Sequence, residues 1–176
     1  MMAEIPLNGY HTIIQSSGIA CDGYYINNKL NGYVKITCPN GNMYEGNMIN
    51  NVRNGYGKYM HHNGFKYEGF FVDGNANGYG KFTYPNGIIK EGYFVKNRLN
   101  GAGKVTHPSG DVFEGTFVNG KADGTCRCSN YTEIPSWSYE AFYKEGAIIG
   151  YKKYVMINGK VCEEYVCEET TLTLIP

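Results

Sequence analysis

The stretch "YEGFFVDGNANGYGKFTYPNG", residues 67–87, decides the fold because much of it returns 23 residues later. The later copy, residues 90–110, reads "KEGYFVKNRLNGAGKVTHPSG". Both copies keep a Glu-Gly pair followed by aromatic residues, a Gly-x-Gly-Lys and a Pro-x-Gly. A fixed period of this length indicates a repeat protein in which each unit packs on its neighbours.

The repeat covers most of the 176 residues. With Tyr67 as position 1, units begin at Cys21, Tyr44, Tyr67, Lys90 and Phe113, then at Tyr139 after a short insertion, and a partial unit begins at Cys162. Residues 9–20 match the second half of a unit. Position 2 is acidic in every unit that includes it, position 12 is Gly from the initial half unit to the unit at Tyr139, and position 15 is basic in every unit from Cys21 to Tyr139.

Composition and the repeat together predict strands joined by tight turns. The chain has 24 Gly and 17 Tyr; Gly accepts the positive φ that tight turns need, and Tyr suits a half-buried sheet surface. We assign a strand to positions 1–6, a turn to positions 7–11 and a second strand to positions 12–18. The Asn-Gly or Ser-Gly pair at positions 20 and 21 then begins the next hairpin. The predicted fold is an all-β, elongated, single-layer antiparallel β-hairpin solenoid with almost no helix.

The charged columns predict a strand register. If the acidic residue at position 2 faces the basic residue at position 15, then the large residue at position 5 faces the Gly at position 12. A Gly leaves space on a pleated surface, and a ring on the next strand can fill it. We therefore expect the position 5 side chains to lie over the position 12 glycines.

The repeated pattern resembles that of MORN (membrane occupation and recognition nexus) repeats. The segment "YEGFFVDGNANGYG", from Tyr67 to Gly80, fits throughout, and "YEGNMINNVRNGYG", from Tyr44 to Gly57, fits with two variants. The resemblance implies a hairpin array that serves as a scaffold or adaptor. We divide the chain into an N-terminal half repeat at 1–20, core repeats at 21–128, and a diverged repeat with capping strands at 129–176.

Bulk properties narrow the function. The formal net charge is zero and the pI is about 6.9, which argues against a nucleic-acid partner. The N-terminal residues show no signal peptide, and no apolar run is long enough to cross a membrane. We expect a cytoplasmic protein with reduced cysteines, either free or peripheral to a membrane or the cytoskeleton.

One predicted face of the sheet carries the candidate binding residues. Aromatic residues at positions 4 and 13 share this face with the acidic and basic columns, and successive units lie about 10 Å apart. The surface could bind a protein partner, either an extended peptide or a helix, or its rings could simply cover the sheet. The candidate partner-binding residues are Tyr33, Tyr56, Tyr79, Phe70, Tyr93, Glu68, Glu91, Lys58 and Lys81.

The sequence leaves three alternatives to a protein-binding surface open. The basic column could bind phospholipid headgroups, although each Lys has an acidic partner, so this is less favoured than a protein. An open end of the array could pair with a second copy of the chain. An enzymatic site could lie in the irregular C-terminal part, but no catalytic motif is present, and neither Cys126-x-Cys128 nor the other cysteines have zinc-site spacing. We expect no enzyme activity and no cofactor or metal.

Overall fold

The computed structural model describes the backbone of residues 6–130, 137–157 and 160–166, and the side chains of residues 6–130 and 138–150. The chain divides into two compact units, residues 1–85 and 86–176. The first unit contains β1 (Gly9–Ile14), β2 (Ala20–Ile26), β3 (Lys29–Thr37), β4 (Met43–Ile49), β5 (Val52–Met60), β6 (Lys66–Val72) and β7 (Asn75–Thr83). The second contains β8 (Ile89–Val95), β9 (Arg98–Thr106), β10 (Val112–Val118), β11 (Lys121–Asn130), β12 (Trp137–Lys144), β13 (Ala147–Ile157) and β14 (Lys160–Val166).

Each unit is a single antiparallel layer in which every strand pairs with its neighbours in sequence. The predicted all-β, single-layer hairpin fold is confirmed, and the described segments contain no helix. They accordingly include no helix that is long and apolar enough to cross a membrane. The predicted C-terminal capping region includes β12 to β14, while residues 131–136, 158–159 and 167–176 lie outside the described backbone.

The tight turn of each hairpin is shorter than the sequence pattern predicts. The second strand begins at position 9, as at Asn75, and not at position 12, so only positions 7 and 8 connect the strands. At Asp73 and Gly74 both φ angles are positive, 48° and 78°, as a two-residue type I′ turn requires. The Asn-Gly pair at positions 20 and 21 instead lies in a longer connection, where Gly41 donates its backbone N–H to the Cys38 carbonyl at 2.9 Å.

Each hairpin that has the two-residue turn also contains a β-bulge. The bulge explains why position 12 is Gly. Between β6 and β7, Gly69 opposes Gly80, and the next opposed pair is Phe71 and Ala76. Phe70 is therefore set against residues 77–79, so β7 bulges. Within this bulge Gly78 has a φ of 99°, a conformation that costs a side-chain-bearing residue free energy.

The predicted register is confirmed between neighbouring hairpins, but the predicted filling of the glycine space is wrong. Gly55 of β5 does oppose Phe71 of β6. A Cβ added at Gly55, however, would meet the Cβ of Asn47 at 3.2 Å, and Asn47 lies on the opposite, exposed side of the sheet. The position 12 Gly serves the bulge, because its positive φ turns its missing side chain away from the position 5 rings and toward the position 4 side chain, which is Asn47 for Gly55 and Phe70 for Gly78.

The ring that covers glycine comes from position 1. Gly69 and Gly80 oppose each other, and a Cβ at Gly80 would come within 2.5–2.8 Å of the Tyr67 ring. The Tyr67 hydroxyl donates to the Phe70 carbonyl at 2.9 Å, at the bulge. Tyr44 has the same arrangement one 23-residue repeat earlier, where its hydroxyl donates a 2.7 Å hydrogen bond to the Asn47 carbonyl. Two facing glycines thus let a buried Tyr lie flat across its own strand.

Other repeats fill the same space with other residues. In the repeat that begins at Cys21, the Val34 side chain covers Gly23, and in the one that begins at Lys90, Leu99 covers Gly103. In the repeat that begins at Phe113, the Cys126 thiol lies over Gly115 and approaches the Thr116 carbonyl at 3.9 Å. The Cys126 thiol therefore occupies the place that the tyrosine hydroxyl has in the repeats that begin at Tyr44 and Tyr67. The space above the facing glycines is filled by the side chain at position 1, 10 or 14, depending on the repeat.

The buried side chains of the first unit form one face of its sheet, which we call the packed face and define by Tyr44, Met48, Tyr67, Phe71 and Phe82, each at most 7% exposed. The Tyr67 ring packs edge-on against Phe71, with centroids 4.9 Å apart, and lies 4.4 Å from Phe82. A single layer can bury these rings because each lies against the next along the sheet. The opposite face carries polar residues together with exposed aromatic and aliphatic side chains.

Candidate functional site

The opposite face of the first unit carries most of the predicted site residues. We call it the ladder face and define it by the charged residues Glu45, Lys58 and Glu68 and the rings of Tyr33, Tyr56, Phe70 and Tyr79. The four rings are 43–61% exposed. Alternation along each strand puts these side chains opposite the packed face, and the observed cross-strand pairs place Lys58 against Glu68 and Tyr56 against Phe70.

Tyrosine hydroxyls on the ladder face bond to the acidic residue of the next repeat. Tyr33 donates to Glu45 Oε1 at 2.5 Å, and Tyr56 donates to Glu68 Oε1 at 2.6 Å. These partners are diagonal neighbours across the strand pair, a separation that a long side chain can span. Each ring is therefore held in a fixed orientation while it remains exposed.

Glu68 is the most heavily bonded acidic group of this surface. In addition to the Tyr56 bond, Lys58 Nζ lies 2.9 Å from Glu68 Oε1, and Lys81 opposes Glu68 from the other neighbouring strand. The Tyr56 hydrogen bond and then Lys58 hold the pKa of Glu68 below its ordinary value. The same bonds raise the pKa of Tyr56 and that of Lys58. The carboxylate therefore stays ionised and the surface is close to neutral.

An apolar pair and a shallow depression adjoin Glu68. The Tyr56 and Phe70 rings meet edge-on, with centroids 5.6 Å apart. Beside them, a depression of about 200 Å³ is lined by Met43, Met60, the stems of charged residues and the strands beneath them. Methionines adapt to differently shaped apolar side chains. The ladder face thus has two exposed rings beside an adaptable apolar recess, and charged residues surround both.

The remaining predicted site residues belong to the second unit. Glu91 opposes Lys104 across β8 and β9, and Lys104 makes a 2.9 Å ion pair with Glu114. Tyr93 is 55% exposed. The second unit therefore has its own alternation of acidic and basic residues with an exposed ring beside it.

Sequence reasoning missed two features. It placed the position 13 tyrosines and position 2 carboxylates on one face without pairing them, although the 12-residue spacing of Tyr33 to Glu45 and Tyr56 to Glu68 could have suggested the bond. It also did not single out Arg53, which is the one basic residue at position 10 in the repeats from Cys21 to Phe113, where the others have Leu30, Ala76, Leu99 and Ala122. Arg53 lies beside Tyr44 and Phe71, which belong to the packed face.

The described parts of the chain show no cluster of three or more His, Cys, Asp or Glu residues that could hold a metal ion. Cys126 and Cys128 are buried free thiols, and burial raises the pKa of both. Since the thiolate is the reactive form, these cysteines are adapted to packing. Their side chains face the same way on β11, and that of Cys126 covers Gly115.

The antiparallel layers, the repeated two-residue turn and the periodic bulge define a β-hairpin repeat protein. A family model described as the MORN repeat matches residues 21–43, 44–65, 67–89, 91–112 and 113–131. Together these matches cover more than half of the chain, which therefore belongs to the MORN-repeat family. A comparison with curated proteins found no match.

Proposed function

We propose that the protein is a non-catalytic adaptor whose ladder face binds an amphipathic helix of a partner protein. The observation that carries this proposal is the pair of hydrogen bonds from Tyr33 to Glu45 and from Tyr56 to Glu68. They fix exposed rings in place before a partner arrives. Binding then costs less conformational entropy, and fixed aromatic rings are the residues that most often dominate protein interfaces.

The repeat spacing favours a helix over an extended peptide. Equivalent ladder-face side chains recur every two strands, about 10 Å apart. Seven residues of an α-helix advance about 10.5 Å and return the side chain to the same side. In an extended peptide, side chains on one side recur about every 6.7 Å, so they do not follow the repeat. A helix laid across the strands can therefore place one apolar residue against each repeat.

The electrostatics of the surface support a protein partner over phospholipid. Lys58 is engaged by Glu68, and in the second unit Lys104 is engaged by Glu114. Binding to an anionic membrane rests on several basic residues without acidic neighbours. A partner helix with both acidic and basic residues can exchange ion pairs with this surface instead.

Affinity capture from the source cell, followed by peptide binding, tests the proposal. The captured partner's segments would be synthesised as peptides, and binding to the wild-type protein and to Tyr56→Ala/Tyr79→Ala would be measured by titration calorimetry. We expect one heptad-patterned peptide to bind and to gain helical circular dichroism, with at least tenfold weaker binding to the double variant. Ile149→Ala, which truncates an exposed apolar residue of the second unit, should bind like wild type.

Two results would overturn the proposal. One is undiminished peptide binding by the folded Tyr56→Ala/Tyr79→Ala protein. The other is the absence of protein capture combined with co-sedimentation on phosphatidylserine vesicles that Lys58→Glu/Lys81→Glu abolishes, since that outcome assigns the face to lipid.

A further inference from the structure

Arg53 stands on the packed face at repeat position 10, where the other repeats that begin between Cys21 and Phe113 have an aliphatic residue. Leu30, Ala76, Leu99 and Ala122 occupy this position and are at most 8% exposed. Arg53 is itself partly buried. A charged group placed among apolar side chains loses part of its hydration, so its presence needs a compensating interaction.

Three aromatic rings surround the Arg53 guanidinium. Its Cζ lies 5.6 Å from the Tyr44 ring centroid, 5.1 Å from that of Tyr59 and 5.4 Å from that of Phe71. Such rings attract the cation through their electron-rich faces. They cannot, however, accept all five in-plane N–H groups of a guanidinium, which are arranged to bind a carboxylate or phosphate with two parallel bonds.

Two donors of this cluster, the Arg53 guanidinium and the Tyr59 hydroxyl, have no side-chain or carbonyl acceptor within the described part of the chain. Over residues 6–130 and 138–150, Arg53 makes no side-chain hydrogen bond and no ion pair, and the Tyr59 hydroxyl has no hydrogen bond. The Tyr44 hydroxyl is already used, because it donates to the Asn47 carbonyl at 2.7 Å. The cluster thus combines a held guanidinium and a neighbouring hydroxyl, both without a negatively charged partner.

We propose that Arg53, with Tyr59 beside it, forms an oxyanion-binding site on the packed face. The ligand is a carboxylate or phosphate group that takes the paired N–H donors of Arg53 and the hydroxyl proton of Tyr59. The rings of Tyr44 and Phe71 hold the guanidinium and reduce the access of water, which strengthens the charge-assisted bonds. The site is independent of the ladder face and does not rest on the proposed function.

Side-chain NMR provides a direct test because the chain has only three arginines. The Nε–H signals would be followed while inorganic phosphate, phenyl phosphate or acetate is added at constant ionic strength. We expect a saturable shift of the Arg53 signal, identified by its loss in Arg53→Leu. Comparing phenyl phosphate with acetate shows which oxyanion the site prefers.

Matched variants separate a site from a general charge effect. Arg53→Leu should fold, because Leu30 and Leu99 hold the same position, and should bind phosphate at least tenfold more weakly when followed through backbone amide shifts. Arg53→Lys keeps the charge without the paired donors and should weaken binding severalfold. Arg98→Leu removes the same charge in the second unit and should leave the Arg53 shift intact.

The proposal is overturned if the Arg53 signal moves linearly with anion concentration for every probe. It is equally overturned if Arg53→Leu binds phosphate as wild type does, or if Arg98→Leu loses as much affinity. Any of these results would mean that Arg53 only packs against the rings.

Discussion

The hairpins β6–β7 and β8–β9 have nearly the same backbone but fill the space above their facing glycines differently. In β6–β7 the Tyr67 ring covers Gly69 and Gly80, and position 10 is the small Ala76. In β8–β9 position 1 is Lys90, and Leu99 at position 10 covers Gly92 and Gly103. The repeat therefore conserves a packed volume and a bulge, while the residue that supplies the volume changes.

The largest loss of stability should follow from emptying the space above the facing glycines in β8–β9, the hairpin that has no ring at position 1. Leu99→Ala removes a side chain that is 4% exposed and leaves a cavity over two glycines, which should lower the free energy of unfolding by about 2–5 kcal/mol. Urea denaturation measures it. Lys90→Tyr in the same chain recreates the Tyr-Ala-Gly combination of β6–β7 and should restore much of the loss; no recovery would show that the two hairpins do not share one packing rule.

A smaller loss of stability should follow from overpacking the same space in β6–β7, where the Tyr67 ring already fills it. Gly80→Val puts a side chain into the Tyr67 ring, which stands 2.5–2.8 Å from the position of an added Cβ, and should cost about 1–3 kcal/mol. Adding Tyr67→Cys to Gly80→Val recreates the pair that the repeat beginning at Cys21 has at positions 1 and 14, which is Cys21 and Val34. In a double-mutant cycle the two changes should couple favourably by about 1 kcal/mol or more, whereas additive losses would contradict the shared volume.

The smallest effect should come from the Tyr67 hydroxyl. Tyr67→Phe keeps the ring but loses the 2.9 Å bond to the Phe70 carbonyl, and should cost about 1 kcal/mol at neutral pH. The β8–β9 hairpin has no tyrosine at position 1, so the matched change Tyr93→Phe on its exposed side should cost less. Equal losses would mean that the bond at the bulge contributes no more than a surface hydroxyl.

The same hydroxyl predicts an alkaline transition. Burial raises the pKa of Tyr67, and likewise that of Tyr44, to about 12. Because the folded pKa exceeds the unfolded value near 10, the stabilisation is complete below pH 10 and falls as the pH rises toward 12. Unfolding measured from pH 9 to pH 12 should show a weaker decline in Tyr67→Phe than in wild type; an unchanged slope would place the effect elsewhere.

Much of the fold could be predicted from sequence because the repeat shows every constraint several times. The columns at positions 2 and 15 were sufficient to derive the register that places Gly55 against Phe71. The bulge could not be derived, because a Gly with positive φ and a Gly under a ring look identical in a sequence. The wrong assignment of the position 12 glycines follows from that ambiguity.

The candidate surface was predictable only in part. Alternation along the strands placed Tyr56, Lys58, Glu68 and Phe70 on one face, as the structure shows. The hydrogen bond from Tyr56 to Glu68 depends on a diagonal contact between strands. The three rings around Arg53 come from three different strands, and a sequence read one repeat at a time does not bring them together.

The sequence by itself determined that this protein is an antiparallel array of MORN-type hairpins, since period, turn residues and alternation are local properties that each repeat restates. Only the tertiary structure decided which side chain covers which glycine, where the backbone bulges, and that a lone arginine is enclosed by rings. These features arise from contacts between strands, and their energies depend on distances of a few ångströms that no local pattern encodes.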